Sequence, residues 1–312
     1  MKIFVSGSLA YDRIMGFPGK FSDHILPDKI HILNVCFVVD GLKEKYGGTA
    51  GNIAYNLALL GEQPVILATA GVDFDSYEAW LRRHDLPLSG IRHIAKELTA
   101  GAYITTDMAD NQITGFNPGA MKYPSLQKLD GVNAHETLAI VAPGNVEDML
   151  TYSQIYKQQK IPYIFDPGQQ ISVLSGEQLA EMITGSELLI ANDYELEMIM
   201  KDTGMEKGDL LKRTKAIIST LGEHGSLLHT TEKVVEIPAA KASQVKDPTG
   251  AGDAYRAGII KGLVLGKDLD DAARMGATCA SYAVECYGTQ EHAFTQEEFW
   301  ERHEATFGES NS

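Results

Sequence analysis

Along the chain, short apolar and β-branched runs alternate with longer stretches whose apolar positions recur at helical spacing. Lys2 to Ser6, Val65 to Thr69, Leu138 to Ala142, Tyr163 to Asp166, Leu188 to Ala191 and Ala216 to Leu221 predict buried strands. Ala50 to Leu60, Ser76 to His84, Val146 to Gln159, Gly176 to Thr184, Asp193 to Asp202, Ala254 to Leu265, Leu269 to Glu285 and Gln296 to His303 predict helices. Such β-α alternation predicts an α/β fold with a mainly parallel sheet covered on both faces, and ligands at the carboxyl ends of its strands. Two segments break the rhythm. Ile30 to Asp40 and Ala102 to Phe116 are β-rich, the second turning at Ala109-Asp110-Asn111 like a hairpin, and no crossover helix follows either. They predict a small sheet, from about 13–40 and 100–116, standing off the main body as a lid that excludes water from a cleft. An edge extension of the main sheet, or contact with a second copy of the chain as a homodimer, is the alternative. The whole of 1–312 then forms one domain carrying this insertion, with 308–312 as a disordered tail.

The chemistry concentrates where Asp247-Pro248-Thr249-Gly250-Ala251-Gly252-Asp253 runs into the helical stretch from Ala254. Gly250, Ala251 and Gly252 bring backbone N–H groups together at a helix N-terminus, where the dipole favours a phosphate. Asp253 stands where a general base would take a proton from an attacking hydroxyl, the arrangement phosphoryl transfer needs. The plainer alternative is a capped helix start. A Rossmann fingerprint would need glycine where Tyr255 stands, and neither Gly19-Lys20 nor Gly266-Lys267 continues as a Walker loop. A second glycine-rich element, Tyr46-Gly47-Gly48-Thr49-Ala50-Gly51-Asn52, enters an early helix. Gly48 would let a ligand approach the backbone, Asn52 can donate to and accept from a hydroxyl, and Asp12, beyond Gly7-Ser8, can accept from two neighbouring hydroxyls. Each also has a structural explanation, as turn, cap or loop acid. Tyr11, Phe37, Tyr103 and Phe116 could sandwich a purine or simply pack. Arg256, three residues after Asp253, could reach a phosphate or form an ion pair.

Composition narrows the partners. The chain has 312 residues, 27 Lys plus Arg against 42 Asp plus Glu, and a net charge of -15, which argues against nucleic acid or an anionic membrane and for a small molecule. An acidic protein that holds polyphosphate must attract it locally, through amides and a metal ion such as Mg2+. Cys36, Cys279 and Cys286 show no paired spacing, and the N-terminus has no secretory pattern, so a reduced cytoplasmic setting is expected.

Together the early and late glycine elements resemble the two signatures of the ribokinase-like, or PfkB carbohydrate kinase, family, which includes adenosine kinases. Asn192-Asp193-Tyr194-Glu195 is similar to that family's Asn-x-x-Glu motif, and Thr220-Leu221-Gly222-Glu223-His224-Gly225 to its nucleotide-contacting turn. The resemblance implies a three-layer α/β/α fold with a β-sheet lid, and ATP and Mg2+ as co-substrate and cofactor. It implies Asp253 as catalytic base with Gly250, Ala251 and Gly252 as anion hole; Asp12, Gly48, Asn52, Ser8 and Phe116 around the acceptor; and Asn192, Thr220, Gly222 and Gly225 around ATP. Glu195 would hold Mg2+ through water, while Asp247, Thr249 and Gly288 match the place of a monovalent cation such as K+ in many members. Pro248 departs from the commoner Thr without altering the carboxylates or glycines. Gly288-Thr289-Gln290-Glu291-His292 and Asp253 to Gly258 resemble bacterial and archaeal nucleoside kinases. The expected reaction is phosphorylation of adenosine on its primary hydroxyl; a sugar kinase or a non-catalytic ligand sensor of the same fold is the alternative.

Overall fold

Strands buried on both faces read as unbroken apolar runs, and the larger of two sheets is built mostly from such strands. The computed structural model describes residues 1–25, 27–32, 34–129 and 131–308. In chain order the elements are β1 (Lys2–Ser6), β2 (Ala10–Gly16), β3 (Asp40–Gly47), α1 (Thr49–Leu59), β4 (Val65–Ala70), α2 (Asp75–Arg83), β5 (Ile91–His93), β6 (Ala100–Thr106) and β7 (Gln112–Asn117). Then follow β8 (Thr137–Val141), α3 (Val146–Gln159), β9 (Tyr163–Phe165), α4 (Gly176–Ile183), β10 (Leu188–Asn192), α5 (Asp193–Thr203), α6 (Lys207–Leu210), β11 (Ala216–Thr220), β12 (Ser226–His229) and β13 (Val234–Ile237). Three helices close the chain: α7 (Ala251–Val264), α8 (Leu269–Ala283) and α9 (Gln296–Phe307).

The nine-stranded sheet has the order β13-β12-β11-β10-β9-β8-β1-β4-β5. It is parallel from β11 to β5, and antiparallel where β12 and β13 join it. Alternate side chains of one strand serve two layers. Ile3 and Val5 of β1, with Leu188 and Ile190 of β10, pack with α1, α2, α7 and α8. Phe4 of β1, with Leu189 and Ala191 of β10, packs with α3, α4 and α5. Since each run serves two cores, a charge anywhere along it would be buried.

A four-stranded sheet has the order β3-β2-β6-β7, with β2 and β6 parallel and the outer pairs antiparallel. Its hairpin β6-β7 is the one expected from Ala102 to Phe116. The strand expected over Ile30 to Asp40 does not form. A 3-10 turn covers Pro27–Ile32 and the strand is Asp40–Gly47 instead, while Leu33 lies outside the described residues. The polar run from Asp40 to Lys45 is an exposed edge strand with no apolar alternation to mark it. Asp12 lies on β2 rather than in a loop, the setting of its alternative reading as a loop acid. β12 and β13 at the opposite edge of the main sheet were likewise not predicted. Of the expected tail 308–312, all but Gly308 lies outside the described residues.

Candidate active site

β1 is the point where the sheet order reverses, with β4 on one side and β8 on the other, and the chain leaving it builds one wall of a cleft. The Ser8 N–H donates to Thr49 Oγ1 at 3.2 Å and to Pro143 O at 3.1 Å, and the Thr49 N–H donates back to Ser8 Oγ at 3.0 Å. These bonds hold the start of α1 against the ends of β1 and β8. Gly48 makes the closeness tolerable: its φ is 87°, and a Cβ there would lie 2.6 Å from Ser8 O. Asn52 is thereby set one turn into α1.

The facing wall is the start of α7. Gly250 enters it with φ 83°, and a Cβ at that position would meet Thr289 Cγ2 at 2.9 Å. The Thr289 hydroxyl donates to Tyr46 O at 3.0 Å, so the segment packed against Gly250 is bonded to the start of the first glycine turn. Ala251, expected in the anion hole, turns its N–H to Pro248 O at 3.2 Å. The N–H groups of Gly250, Gly252 and Asp253 have no hydrogen-bond partner among the described residues, and these are the amides free to meet a phosphate.

Between the walls lies a cleft of about 690 Å³. Of the candidate residues, Ser8, Asp12, Gly48, Asn52, Phe116, Asn192, Glu195, Thr220, Gly222, Thr249, Gly250, Gly252 and Asp253 border it, while Ala251, Gly225, Asp247 and Gly288 do not. A neighbouring cleft of about 610 Å³ shares Thr220, Gly222 and Gly252 with it and continues past Gly225 and Ala251 along an apolar slot of Ala240, Val245, Ala277 and Val284. Asp253 thus stands near the seam of a polar chamber and an apolar one.

Burial raises four carboxylates at this cleft, those of Asp12, Asp166, Glu195 and Asp253. Burial raises Asp253 to about 6, against the lowering effect of the Arg256 charge and of the hydrogen bond from Asn52 Nδ2 at 2.8 Å. Burial also raises Asp12 to about 6, helped by the nearby charge of Asp247. The Asp12 carboxylate accepts no hydrogen bond among the described residues, which leaves it to a ligand. Asn52 is different. Its Oδ1 already accepts from Gln290 Nε2 at 3.0 Å, so it has a donor to offer a ligand rather than both roles.

Arg256 forms the ion pair that was one of its two expected roles. Its Nη2 donates to Asp166 Oδ1 at 2.8 Å, its Nε meets Asp166 Oδ2, and its Nη1 donates to Gly252 O at 2.9 Å. Asn192 and Glu195 cap α5 reciprocally: Asn192 Oδ1 accepts from the Glu195 N–H at 2.7 Å and Glu195 Oε2 from the Asn192 N–H at 2.8 Å. Asp247 Oδ1 accepts from the Thr249 N–H at 2.9 Å and Oδ2 from the Gly288 N–H at 3.2 Å, which is a cap for this turn. Among the described residues no three His, Cys, Asp or Glu side chains form a ready metal cage. Hydrated Mg2+ carried on phosphates needs only one or two carboxylates, and Glu195 at the cleft wall fits that demand.

Of the four aromatic candidates, only Phe116 lines the cleft. Tyr11 is buried against Tyr46 and Tyr77, Phe37 packs on Phe17 and Phe21, and Tyr103 accepts from Arg13. Tyr194, 69% exposed, borders the cleft as well and was not singled out in the sequence, though it lies inside the Asn192 to Glu195 motif. Asp166 and Gln290 carried no signal that spacing alone could have revealed. No helix among the described residues is long and apolar enough to cross a membrane.

Comparison with known proteins agrees with this geometry. The pfkB family of carbohydrate kinases matches residues 23–296. A nucleoside kinase of Methanocaldococcus jannaschii is 35% identical over 272 residues, which span 86% of this chain and 89% of that one. A crystal structure of the nucleoside kinase of that organism, an archaeal member of the ribokinase family, matches with a TM-score of 0.88 at 33% identity, covering 98% of this chain and 99% of that one. The Burkholderia thailandensis nucleoside kinase in complex with inosine matches with a TM-score of 0.86 at 35% identity, covering 98% of each chain. The chain belongs to the pfkB family of carbohydrate kinases. It has the ribokinase-like fold and is a phosphotransferase acting on an alcohol acceptor.

Proposed function

We propose that this pfkB family member transfers the γ-phosphoryl group of ATP to the 5'-hydroxyl of a nucleoside, with adenosine as the first candidate acceptor. The observation that carries the reading is the place of Asp253, near the meeting of the polar and apolar clefts, at the end of a helix whose amides are free. The acceptor lies in the polar chamber. Its neighbouring ribose hydroxyls donate to the Asp12 carboxylate, a hydroxyl oxygen accepts from Asn52, and Phe116 and Tyr194 offer faces for a base. That the Methanocaldococcus jannaschii and Burkholderia thailandensis relatives are nucleoside kinases supports this over a free sugar, which has no base to stack.

In the reaction the acceptor oxygen attacks the γ-phosphorus, the P–O bond to ADP breaks, and the hydroxyl proton passes to Asp253 Oδ. The Gly250, Gly252 and Asp253 amides stabilise charge on the transferring group without reorganising. Glu195 would hold a hydrated Mg2+, which would supply further neutralisation of phosphate charge, and Asn192, Thr220, Gly222 and Gly225 border the space for the nucleotide. The four-stranded sheet serves as a lid: Ala10, Asp12, Ala102 and Phe116 come from it and border the acceptor chamber, so closing it excludes water as a competing acceptor. K+ beside Asp247, Thr249 and Gly288 belongs to the same proposal. The test is ADP release with ATP, Mg2+ and a panel of nucleosides and sugars. Turnover of adenosine or another nucleoside is expected, and turnover of ribose or fructose alone would reject the reading.

A further inference from the structure

Trp80 begins a run of hydrogen bonds that has one consistent polarity. An indole N–H only donates, and it gives its proton to Gln290 Oε1 at 2.9 Å. That fixes the other end of the Gln290 amide: Nε2 donates to Asn52 Oδ1 at 3.0 Å and to the Tyr77 hydroxyl at 2.7 Å. Tyr77 passes its own proton to Gly47 O at 2.8 Å, so it accepts from Gln290 without competing for the same role. Asn52 is fixed in turn, its Oδ1 taken and its Nδ2 aimed at Asp253 Oδ2. Gln290 is 2% and Asn52 4% exposed, so little water can satisfy a flipped amide. Reversing Gln290 would set its NH2 against the Trp80 N–H, and reversing Asn52 would set a carbonyl oxygen against a carboxylate.

We propose that Gln290 is a positioning residue for phosphoryl transfer: oriented by Trp80, it holds the Asn52 amide so that an N–H, rather than a carbonyl oxygen, faces the Asp253 carboxylate. The proposal rests on the reading of Asp253 as base. Gln290 itself would touch neither reacting oxygen nor phosphate and acts through Asn52. The charged and titratable groups around Asp253 are Arg256 on its own helix, Asp166 after β9, Asp12 on β2 and Tyr77 on α2. Arg256 and the Asn52 N–H favour the ionised base, whereas Asp166, Asp12 and burial oppose it. Loss of the correctly turned amide removes one of the two favourable influences and leaves the rest in place.

The experiment is the pH dependence of kcat/KM for wild type, Gln290→Leu, Trp80→Phe and Asp253→Asn, with thermal melts as a check on folding. The acid limb of Gln290→Leu should move up by roughly one pH unit, the size expected for losing one hydrogen bond to a carboxylate. Trp80→Phe should move it in the same direction by less, since it frees Gln290 to turn but keeps a ring stacked on Tyr46 and Tyr55. Both variants should approach the wild-type plateau at high pH. Acid limbs coincident with wild type in folded variants would overturn the proposal; if Gln290→Leu does not fold, Trp80→Phe alone decides. Full turnover by Asp253→Asn, or no acid limb in wild type, would instead sink the base assignment, and the relay with it.

Discussion

Asn52 Nδ2 donates to Asp253 Oδ2 at 2.8 Å, joining residues 201 positions apart and linking α1 directly to the carboxylate proposed as the base. The bond survives in outline if Asp253 becomes an amide, since the side chain keeps its shape and only the basic oxygen is lost. Asp253→Asn should therefore lower kcat by about two or more orders of magnitude while acceptor affinity, read by calorimetry, stays close to wild type. Equal loss of both would mean that the start of α7 had been disturbed instead.

Asp12 predicts the opposite division. Its carboxylate borders the chamber without a protein partner among the described residues, so its removal takes binding rather than chemistry. Asp12→Ala should raise the KM for the preferred acceptor by roughly ten-fold or more, the loss of one or two charge-assisted hydrogen bonds, with a smaller change in kcat. An unchanged KM would remove Asp12 from the acceptor site.

Both acids are raised to about 6, and the sign of the consequence is the same for each. In the proposed mechanism both acids act in their ionised forms, so kcat/KM should fall as pH drops through about 6. For stability the relation reverses. A carboxyl whose folded pKa lies above its unfolded one makes a contribution that is lost as pH rises through the window between the two. Asp12→Asn should accordingly melt higher than wild type at pH 7 and lose that advantage towards pH 4, where both side chains are neutral. Melting curves that coincide at both pH values would contradict the burial of Asp12.

The Asp166 and Arg256 pair is almost closed to solvent, with side chains 3% and 8% exposed. Removing one partner leaves the other charge buried and unpaired, so Asp166→Ala should cost about 3–5 kcal/mol in urea unfolding. A loss below about 1 kcal/mol would show that the pair is solvated in solution.

The doubly buried strands β1, β4, β8, β9, β10 and β11 were legible because burial on both faces favours short, mostly apolar runs, with the few buried polar residues such as Ser6, Thr69, Thr137 and Ser219 small. β3 and β13 were not, since an edge strand with exposed faces carries no such demand. The site was legible where glycine is required by positive φ, at Gly48 and Gly250, and where a carboxylate follows such a turn. It was not legible where side chains of the candidate site pair across the fold. Asp166 meets Arg256 from 90 positions away and Gln290 meets Asn52 from 238, and neither distance leaves a trace in local spacing.

The most direct test of the account is a crystal structure with adenosine and a non-hydrolysable ATP analogue. The 5'-oxygen should lie about 2.6–3.2 Å from an Asp253 oxygen, with the ribose diol on Asp12 and the γ-phosphate on the free amides of Gly250, Gly252 and Asp253. A nucleoside bound elsewhere, or seated in the chamber with its primary hydroxyl turned away from Asp253, would contradict it.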